Sequence, residues 1–431
     1  MTPTAATHLI DDGPIGWRFK GLPPDAAGGT LAALGAEGRS LFDAGFGWPL
    51  LVLRDSALRH NAELMARYCT EHGASIAPHL KTTASPELAE YALRAGAWGV
   101  TLATPYQARV FMAAGHARIL LANELVDRAF AREVVGWLAE DEARAFYCYV
   151  DSREGVEVLR AALDGVATPR PLPVLIEVGH DGGRGGCRDS DAVAAVRDAV
   201  RSVDGLALAG VAGYEGSVSH ARDAHGLSAV AGYLRSVRRA MELVLPHADP
   251  RLDEYVVSAG GSLYFDVVAA ELGDWPADRD VRLIIRSGAY LTHDHGLYRA
   301  LSPLDGSAPG AARVSRLVPA IEVWAPVLSR PEPGLAILGA GRRDLNWDQG
   351  LPAPIQARDH RGRDARDAAG WTIDALDDQH AYLRLPPQAR LGPSDLVRLG
   401  ISHPCTIHDR WLTAVVAADD DTVVSVARCY F

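Results

Sequence analysis

Short apolar runs and amphipathic segments alternate along the chain from residue 49 to residue 272. Residues 49–53, for example, form a wholly apolar run, and residues 58–69 carry one apolar stripe with helical spacing. Wholly apolar runs of this length are typical of parallel strands that are buried on both faces. Eight predicted strands, each followed by a predicted helix, begin at Pro49, Ala74, Trp98, Arg118, Ala145, Pro173, Leu206 and Glu254.

The number of these units favours a closed barrel over an open sheet. Eight strand and helix pairs over about 225 residues match the size of a (β/α)8 barrel, the TIM-like fold. An open doubly wound sheet usually has fewer strands and a phosphate-binding glycine loop after its first strand, and this sequence has no such loop. The fold class is therefore predicted to be α/β, with a TIM-like barrel.

After Asp280 the pattern changes to short strands separated by turn residues, for example residues 282–285 and 319–324. This texture is typical of a mostly β domain. The N-terminal residues are rich in glycine, alanine and proline and have little periodicity. The predicted parts are an N-terminal arm over residues 1–47, a barrel over 48–280 and a mostly β C-terminal domain over 281–431.

Composition excludes several classes of partner. The formal net charge of −11 argues against nucleic acid, because binding a phosphate backbone needs clustered cations. No segment approaches the ~18 uninterrupted apolar residues of a membrane span, and the N-terminus has no apolar core of signal-peptide length. The five cysteines are odd in number and scattered, unlike a secreted disulfide framework. We therefore expect a cytoplasmic protein without a membrane segment.

Lys81 stands where the second predicted strand ends and a helix begins. In a closed barrel, the loops at the C-terminal ends of the strands carry the chemistry. A lysine amine can form a Schiff base with a carbonyl compound. Lys81 is therefore the candidate covalent anchor; a solvent-exposed lysine in a loop is the alternative interpretation.

The last predicted barrel strand ends in Ser258-Ala259-Gly260-Gly261-Ser262. Adjacent glycines let the backbone approach an anion closely, the Ser262 hydroxyl can donate to it, and the next helix offers its N-terminal amides. The loops after strands seven and eight are the usual phosphate site of such barrels. Gly260, Gly261 and Ser262 are therefore predicted to hold a phosphate, and a plain tight turn is the alternative.

Two further positions at strand ends carry a guanidinium and a phenol. A glycine-dense loop around Arg184 follows the sixth predicted strand, and Tyr214 follows the seventh. Small neighbours would let Arg184 lean over a flat, electron-rich ligand. A flexible surface loop and a tyrosine used for packing are the alternatives.

A candidate metal site lies near the C-terminus, in His403-Pro404-Cys405. On an extended segment, His403 and Cys405 would project to one side and present an imidazole and a thiolate, which suit zinc. Two protein ligands leave open positions, which is the pattern of catalytic sites. Residues 292–295, Thr-His-Asp-His, are a rival site at a domain junction and carry less weight.

These motifs occur in the order found in the D-serine dehydratase and D-threonine aldolase family: residues 78–82 with Lys81, the loop around Arg184, residues 258–262 and the late His403-x-Cys405. The chain resembles this family from about residue 48 to its C-terminus. The family belongs to the alanine-racemase-like, fold-type III pyridoxal-phosphate enzymes. The resemblance implies a barrel followed by a β domain, usually assembled as a homodimer.

The resemblance also implies roles for the residues. Lys81 would bind pyridoxal 5'-phosphate covalently, Arg184 would bond the cofactor ring, and Tyr214 would lie beside the cofactor. The cofactor phosphate would be held by Gly260, Gly261 and Ser262, and a zinc ion (Zn²⁺) by His403 and Cys405.

Two positions bear on the substrate. Cys405 is the form that resembles D-serine dehydratase, whereas D-threonine aldolases tend to have aspartate at that position. Thr83 departs from the family pattern, because many members have a histidine there.

Together, these features predict a zinc- and pyridoxal-phosphate-dependent dehydratase of D-3-hydroxyamino acids such as D-serine, yielding a 2-oxo acid and ammonia. Lys81 would remove the α-proton of the D-amino acid, and zinc would assist departure of the β-hydroxyl. The nearest alternative is retro-aldol cleavage of D-threonine-like substrates to glycine and an aldehyde. The remaining alternatives are a racemase, which needs a second acid on the opposite face, and a carrier that holds the cofactor without turnover.

Overall fold

The structure is a computed structural model that describes residues 13–42, 45–276, 280–305 and 315–431. The helices are α1 (Leu31–Ala36), α2 (Asp55–Glu71), α3 (Pro86–Arg94), α4 (Pro105–Ala113), α5 (Arg128–Glu140), α6 (Arg153–Leu163), α7 (Ser190–Arg201), α8 (Ala224–Val244), α9 (Phe265–Leu272) and α10 (Leu297–Leu301). Among the residues described, no helix is long and apolar enough to cross a membrane.

The strands fall into two sheets. The first contains β2 (Ala74–Ile76), β3 (Val100–Leu102), β4 (Arg118–Glu124), β5 (Ala145–Val150), β6 (Leu172–Val178), β7 (Leu206–Gly213), β8 (Tyr255–Ala259) and β9 (Val281–Ile285). The second contains β1 (Leu50–Arg54), β10 (Ile321–Glu332), β11 (Leu335–Leu338), β12 (Ala353–Arg358), β13 (Arg366–Asp367), β14 (Thr372–Leu376), β15 (Ala381–Arg384), β16 (Leu396–Gly400), β17 (Thr413–Ala417) and β18 (Val423–Arg428).

The first sheet is a curled, wholly parallel sheet of eight strands in the order β2-β9-β8-β7-β6-β5-β4-β3. Backbone hydrogen bonds join its two edges, because the chain beyond β2 pairs with β3. Trp98 N donates to Ile76 O at 2.9 Å, and Leu80 N donates to Thr101 O at 2.8 Å. The predicted fold class, a TIM-like barrel followed by a mostly β domain, is confirmed.

Two strand assignments from the sequence are wrong. Residues 49–53 were expected as the first barrel strand, but β1 pairs with β10 and β17 in the second sheet. Residues 282–285 were expected in the β domain, but they lie in β9, between β8 and β2 of the barrel. An apolar run shows that a strand is buried, yet every β1 residue is buried in the second sheet just as it would be in the barrel. Burial alone therefore could not assign either strand to its sheet.

The second sheet follows the path β13-β12-β16-β10-β1-β17-β18, and β11 joins it through β10. The described part of the N-terminal segment packs on this sheet, where Phe19, Leu34 and Leu41 share an apolar cluster with Val52 of β1 and Trp324 of β10. The N-terminal segment therefore covers a face of the β domain that would otherwise be exposed apolar surface.

Helix α3 begins where the residues around its first turn predict. The hydroxyl of Ser85 accepts a hydrogen bond from Leu88 N at 3.3 Å, and Pro86 occupies the first helical position of α3. Both features satisfy or remove N–H groups that would lack partners at a helix start. Because α3 directly follows the lysine loop, this cap helps to fix where that loop ends.

We expect Gly210→Ala to lower the free energy of unfolding by about 2 kcal/mol or more, because it adds a side chain where the barrel has no space. Gly210 has φ +143°, and a Cβ atom there would lie 2.0 Å from Val256 O of β8. Gly136→Ala is the matched control: Gly136 lies within α5, and a Cβ atom there would have no neighbour within 4 Å. This control should raise the free energy of unfolding by about 0.5–1 kcal/mol. Urea unfolding followed by circular dichroism measures both, and equal effects would contradict the packing argument.

Candidate active site

The sequence-predicted residues of the barrel lie at one end of it. Lys81 follows the segment that closes the sheet, Arg184 lies in the loop after β6, Tyr214 directly follows β7, and Gly260 directly follows β8. Since all these strands are parallel, their C-terminal ends meet at the same rim, where the loops of such barrels build active sites. The structure therefore gathers these residues around one opening.

The environment of Lys81 favours its neutral amine. Burial lowers the pKa of Lys81 below its ordinary value, and the positive charges of Arg184 and Arg286 lower it further, while Cys405 acts in the opposite direction. The side chain still reaches the solvent at the mouth of the barrel. An accessible lysine with a lowered pKa is the form that can attack a carbonyl group.

Arg184 is held over Tyr214, since its guanidinium carbon lies 4.8 Å from the centre of the tyrosine ring. The glycine-dense loop that carries Arg184 is fixed by Arg188, whose guanidinium donates to Gly185 O at 2.8 Å and Gly186 O at 3.0 Å. The same group also donates to the carbonyls of Gly183 and Arg184. These hydrogen bonds give the loop a defined backbone conformation beneath Arg184.

Three carboxyl groups that the sequence analysis gave no role lie beneath this loop. A Cβ atom at Gly185 would lie 2.6 Å from Glu177 Oε2, 3.1 Å from Glu124 Oε1 and 3.5 Å from Asp151 Oδ2. Burial and, next, the neighbouring Glu124 raise the pKa of Glu177 to about 8. These residues lie at the ends of β6, β4 and β5, so their position at strand ends is the signal that could have identified them.

Two backbone amides of the Gly260–Ser262 loop donate hydrogen bonds to a carboxyl group of the protein itself. The fully buried Glu215 accepts hydrogen bonds from Gly260 N at 3.0 Å and from Gly261 N at 2.5 Å. The two amides thus donate to different oxygens of one carboxyl group. Ser262 Oγ accepts a hydrogen bond from Ala289 N at 3.3 Å, which ties the loop to the chain after β9. Neighbouring amides that donate to oxygen atoms in this way are the type of donor that phosphate groups use.

Arg286, at the end of β9, joins neighbouring strand ends and was missed from the sequence. Its guanidinium donates to Ser258 Oγ at 2.7 Å and to Gly213 O at 2.6 Å. The assignment of β9 to the other domain concealed this residue. With β9 counted as a barrel strand, an arginine directly after it would have been a candidate on position alone.

His403 and Cys405 lie together beside the lysine loop. Cys405 Sγ is 3.2 Å from the hydroxyl oxygen of Thr82, the residue after Lys81. The expected extended segment is interrupted, because Pro404–Thr406 forms a 3-10 turn. Burial lowers the pKa of His403, but its hydrogen bonds to Cys405 and Asp348 outweigh that effect and raise it to about 9. His403 and Cys405 therefore stay close enough to interact electrostatically despite the turn.

Asp348 holds the imidazole in place from the other side. Its Oδ2 lies 2.6 Å from His403 Nδ1, and its Oδ1 accepts hydrogen bonds from Thr406 Oγ1 at 2.6 Å and Asn346 Nδ2 at 3.0 Å. A carboxylate on one ring nitrogen leaves the other nitrogen for a metal, as is usual for metal-binding histidines. Over the described ranges, no cluster of three or more His, Cys, Asp or Glu side chains could hold a metal, so any ion here would have two protein ligands and open positions.

The rival site at residues 292–295 is built into the scaffold instead. His293 Nε2 lies 2.7 Å from Asp305 Oδ2. Asp294 accepts hydrogen bonds from Gly296 N at 2.8 Å and Tyr298 N at 3.0 Å, at the start of α10. Asp294 is therefore engaged in fixing the backbone and His293 is paired with Asp305, so the structure does not present this stretch as a metal site.

The comparisons with known proteins agree with this geometry. Residues 53–271, just over half of the chain, match the family described as alanine racemase, N-terminal domain, and residues 320–417 match a putative serine dehydratase domain. The chain belongs to the family with the alanine-racemase N-terminal domain. The resemblance to the D-serine dehydratase and D-threonine aldolase family is confirmed by these matches together with the relatives that follow.

Three relatives illustrate the family. The chain is 27% identical over 342 residues to D-threonine aldolase of an Arthrobacter species, covering 79% of this chain and 81% of the aldolase. D-threonine aldolase from Filomicrobium marinum shares its fold with a TM-score of 0.72 at 24% identity, over 89% of this chain and 95% of that one. D-threo-3-hydroxyaspartate dehydratase from Delftia sp. HT23 gives a TM-score of 0.70 at 22% identity, over 91% and 99% of the two chains.

We expect the protein to lose stability as the pH rises from about 5 to about 8, in part because of Glu177. Its pKa is raised from 4.5 to about 8 in the folded state, so in this range the folded protein holds a proton that the unfolded chain releases. A group of this kind makes unfolding easier as the pH rises. Glu177→Gln removes this titration and should flatten the pH dependence of the urea midpoint.

Glu157→Gln is the control, because Glu157 is exposed and its pKa is lowered, which places its titration below this range. Identical slopes for Glu177→Gln and the unmutated protein would show that the pKa is not raised.

Proposed function

We propose that this protein is a zinc- and pyridoxal-phosphate-dependent lyase that dehydrates and deaminates D-3-hydroxyamino acids such as D-serine. The products would be a 2-oxo acid and ammonia. One observation carries the proposal: the thiol of Cys405 lies 3.2 Å from the hydroxyl of Thr82, the neighbour of Lys81. A candidate metal pair and a candidate Schiff-base lysine thus face the same opening.

The lysine count supports Lys81 as the anchor of the cofactor. Lys20 and Lys81 are the only lysines in the sequence. Lys20 is paired with Asp344 at 2.7 Å and lies over the ring of Trp411 at 3.6 Å, so its amine is already engaged. Lys81 is therefore the side-chain amine that remains for pyridoxal phosphate.

The other cofactor contacts come from the rim. Arg184 and Tyr214 would hold the ring, and Gly260, Gly261 and Ser262 would hold the phosphate. When bound, pyridoxal phosphate withdraws electrons from the α-carbon of an amino acid and so makes its hydrogen acidic. Lys81 would then take that α-hydrogen as a proton, since its lowered pKa leaves the amine able to accept one.

His403 and Cys405 would hold Zn²⁺, and Asp348 would orient the imidazole. Imidazole and thiolate are suitable zinc ligands, and a bound zinc ion with open positions acts as a Lewis acid on an oxygen atom. The substrate's β-hydroxyl is the oxygen that must leave in a dehydration. This division places the α-hydrogen near Lys81 and the β-oxygen near the metal pair.

Retro-aldol cleavage is the second candidate, favoured by the 27% identity to a D-threonine aldolase. In that reaction a base takes the proton of the β-hydroxyl, and the bond between the α- and β-carbons breaks to give glycine and an aldehyde. Cys405 favours dehydration, because in the resembled family the cysteine form is that of D-serine dehydratase.

The proposal also covers the substrate, the oligomeric state and the cellular location of the enzyme. Its substrate would be a small D-amino acid, and the resemblance supports a homodimer. Among the residues described, all five cysteines are free thiols, which supports a cytoplasmic location.

Product analysis tests the reaction class. We expect D-serine to give pyruvate and ammonia in the presence of zinc, with the loss of both products when a chelator is added. D-threonine, D-threo-3-hydroxyaspartate and the corresponding L-amino acids are assayed in parallel. Glycine plus an aldehyde would instead establish the aldolase, and no product from any 3-hydroxyamino acid would overturn both.

Replacement of the two lysines tests the anchor. Lys81→Ala should abolish the visible absorbance of bound pyridoxal phosphate, because no other free side-chain amine remains. Lys20→Ala is the matched control and should retain both the absorbance and the activity. Borohydride reduction followed by peptide mass spectrometry should place the cofactor on Lys81, and a label found on Lys20 would contradict the assignment.

Replacement of Cys405 tests the metal pair separately from the cofactor. Cys405→Ala should lose bound zinc and most turnover while keeping the cofactor absorbance, because the thiol is a metal ligand in the proposal. Cys69→Ala, at a buried cysteine of α2, should keep its zinc. Wild-type zinc content in Cys405→Ala would refute the role of the thiol as a metal ligand.

A further inference from the structure

Tyr298 is a half-buried residue of α10 that the reaction described above does not use. Its ring centre lies 5.8 Å from that of His403, which stands two residues before Cys405. Tyr298 thus lies beside the candidate metal pair.

The backbone around Tyr298 is fixed by a buried carboxylate. Asp294 is fully buried and accepts hydrogen bonds from Gly296 N at 2.8 Å, Tyr298 N at 3.0 Å and Arg299 N at 3.3 Å. A carboxylate at this position satisfies N–H groups that a helix start leaves unpaired. The position of Tyr298 therefore does not depend on its side chain alone.

The same segment is tied to the strand that leads to the metal pair. His295 N donates to Ile401 O and Leu297 N donates to Ser402 O, both at 2.9 Å. Between them, Gly296 lies so close that a Cβ atom would be 2.8 Å from the backbone of Ser402. Tyr298 and His403 are thus held in one fixed arrangement by the main chain.

We propose that the hydroxyl of Tyr298 donates a hydrogen bond to the β-oxygen of the substrate and so completes a β-hydroxyl subsite with His403 and Cys405. This inference rests on the proposed function and adds a residue to it. In dehydration, the bond between the β-carbon and oxygen breaks, and its electron pair goes to the oxygen, which leaves as hydroxide and becomes water with a solvent proton. In retro-aldol cleavage, the oxygen loses its proton and gains negative charge before it becomes the carbonyl oxygen.

Negative charge grows on the same oxygen in both reactions. A donor aimed at an atom that becomes more negative stabilises the transition state more than the substrate, so it raises kcat. Removal of such a donor typically costs about 100-fold in rate. By contrast, removal of the α-hydrogen involves Lys81 and not this oxygen. The two steps can therefore be separated by experiment.

Tyr298→Phe is tested with two substrates of the intact, cofactor- and zinc-loaded enzyme. The first is the 3-hydroxyamino acid that gives the most product, for which we expect kcat to fall about 100-fold. The second is D-alanine in deuterium oxide, which has no β-hydroxyl; exchange of its α-hydrogen, followed by proton NMR, should keep its wild-type rate. Zinc content, measured by mass spectrometry, should also stay at the wild-type level.

Tyr290→Phe is the matched control, because the Tyr290 hydroxyl is buried and has no hydrogen-bond partner among the described residues. It should leave both rates unchanged. Equal losses in both reactions of Tyr298→Phe, no loss in either, or a loss of zinc would each overturn the subsite assignment. A wild-type enzyme that forms no product and exchanges no D-alanine would instead overturn the proposed function, and the subsite with it.

Discussion

The candidate site depends on one short pairing of backbone segments. The chain that leaves the barrel after β9 donates two hydrogen bonds to residues 401 and 402, immediately before His403. The absence of a side chain at Gly296 lets the two segments approach this closely. Because of this pairing, residues from the β domain reach the C-terminal rim of the barrel, and Cys405 contacts Thr82. Together with the contact between Tyr430 N and Ala84 O, this pairing brings the two domains together at the site.

The sequence predicted the kind of fold because the main signal is local. Apolar runs, helix caps and glycines recur along the chain, and the eight parallel strands and the β domain are both present. The exchange of β1 and β9 between the sheets has a physical reason. The residues of a strand determine whether it is buried. The sheet to which it belongs depends on hydrogen bonds to other strands, and the partner of β1, β10, begins only at residue 321.

The same distinction explains which site residues could be predicted. Lys81 and Tyr214 were found because each stands at the end of a strand. Glu215 and Asp348 were not, since each acts on a partner far along the chain: Gly260 is 45 residues from Glu215, and His403 is 55 residues from Asp348. A simple signal was available for the anchor, because a chain with two lysines offers few candidates for a Schiff base.

The two parts of the chain act on different atoms of the substrate under the proposed function. The barrel contributes the groups around the cofactor, namely Lys81, Arg184, Tyr214 and the loop of Gly260. The β domain and the segment leading to it contribute His403, Cys405 and Tyr298, which face the β-oxygen. Dehydration would break the bonds from the α-carbon to hydrogen and from the β-carbon to oxygen, whereas retro-aldol cleavage would break the bond between the α- and β-carbons and leave the α-hydrogen in place. Both reactions place negative charge on the same β-oxygen, so under the proposed function the second set of residues would serve either of them.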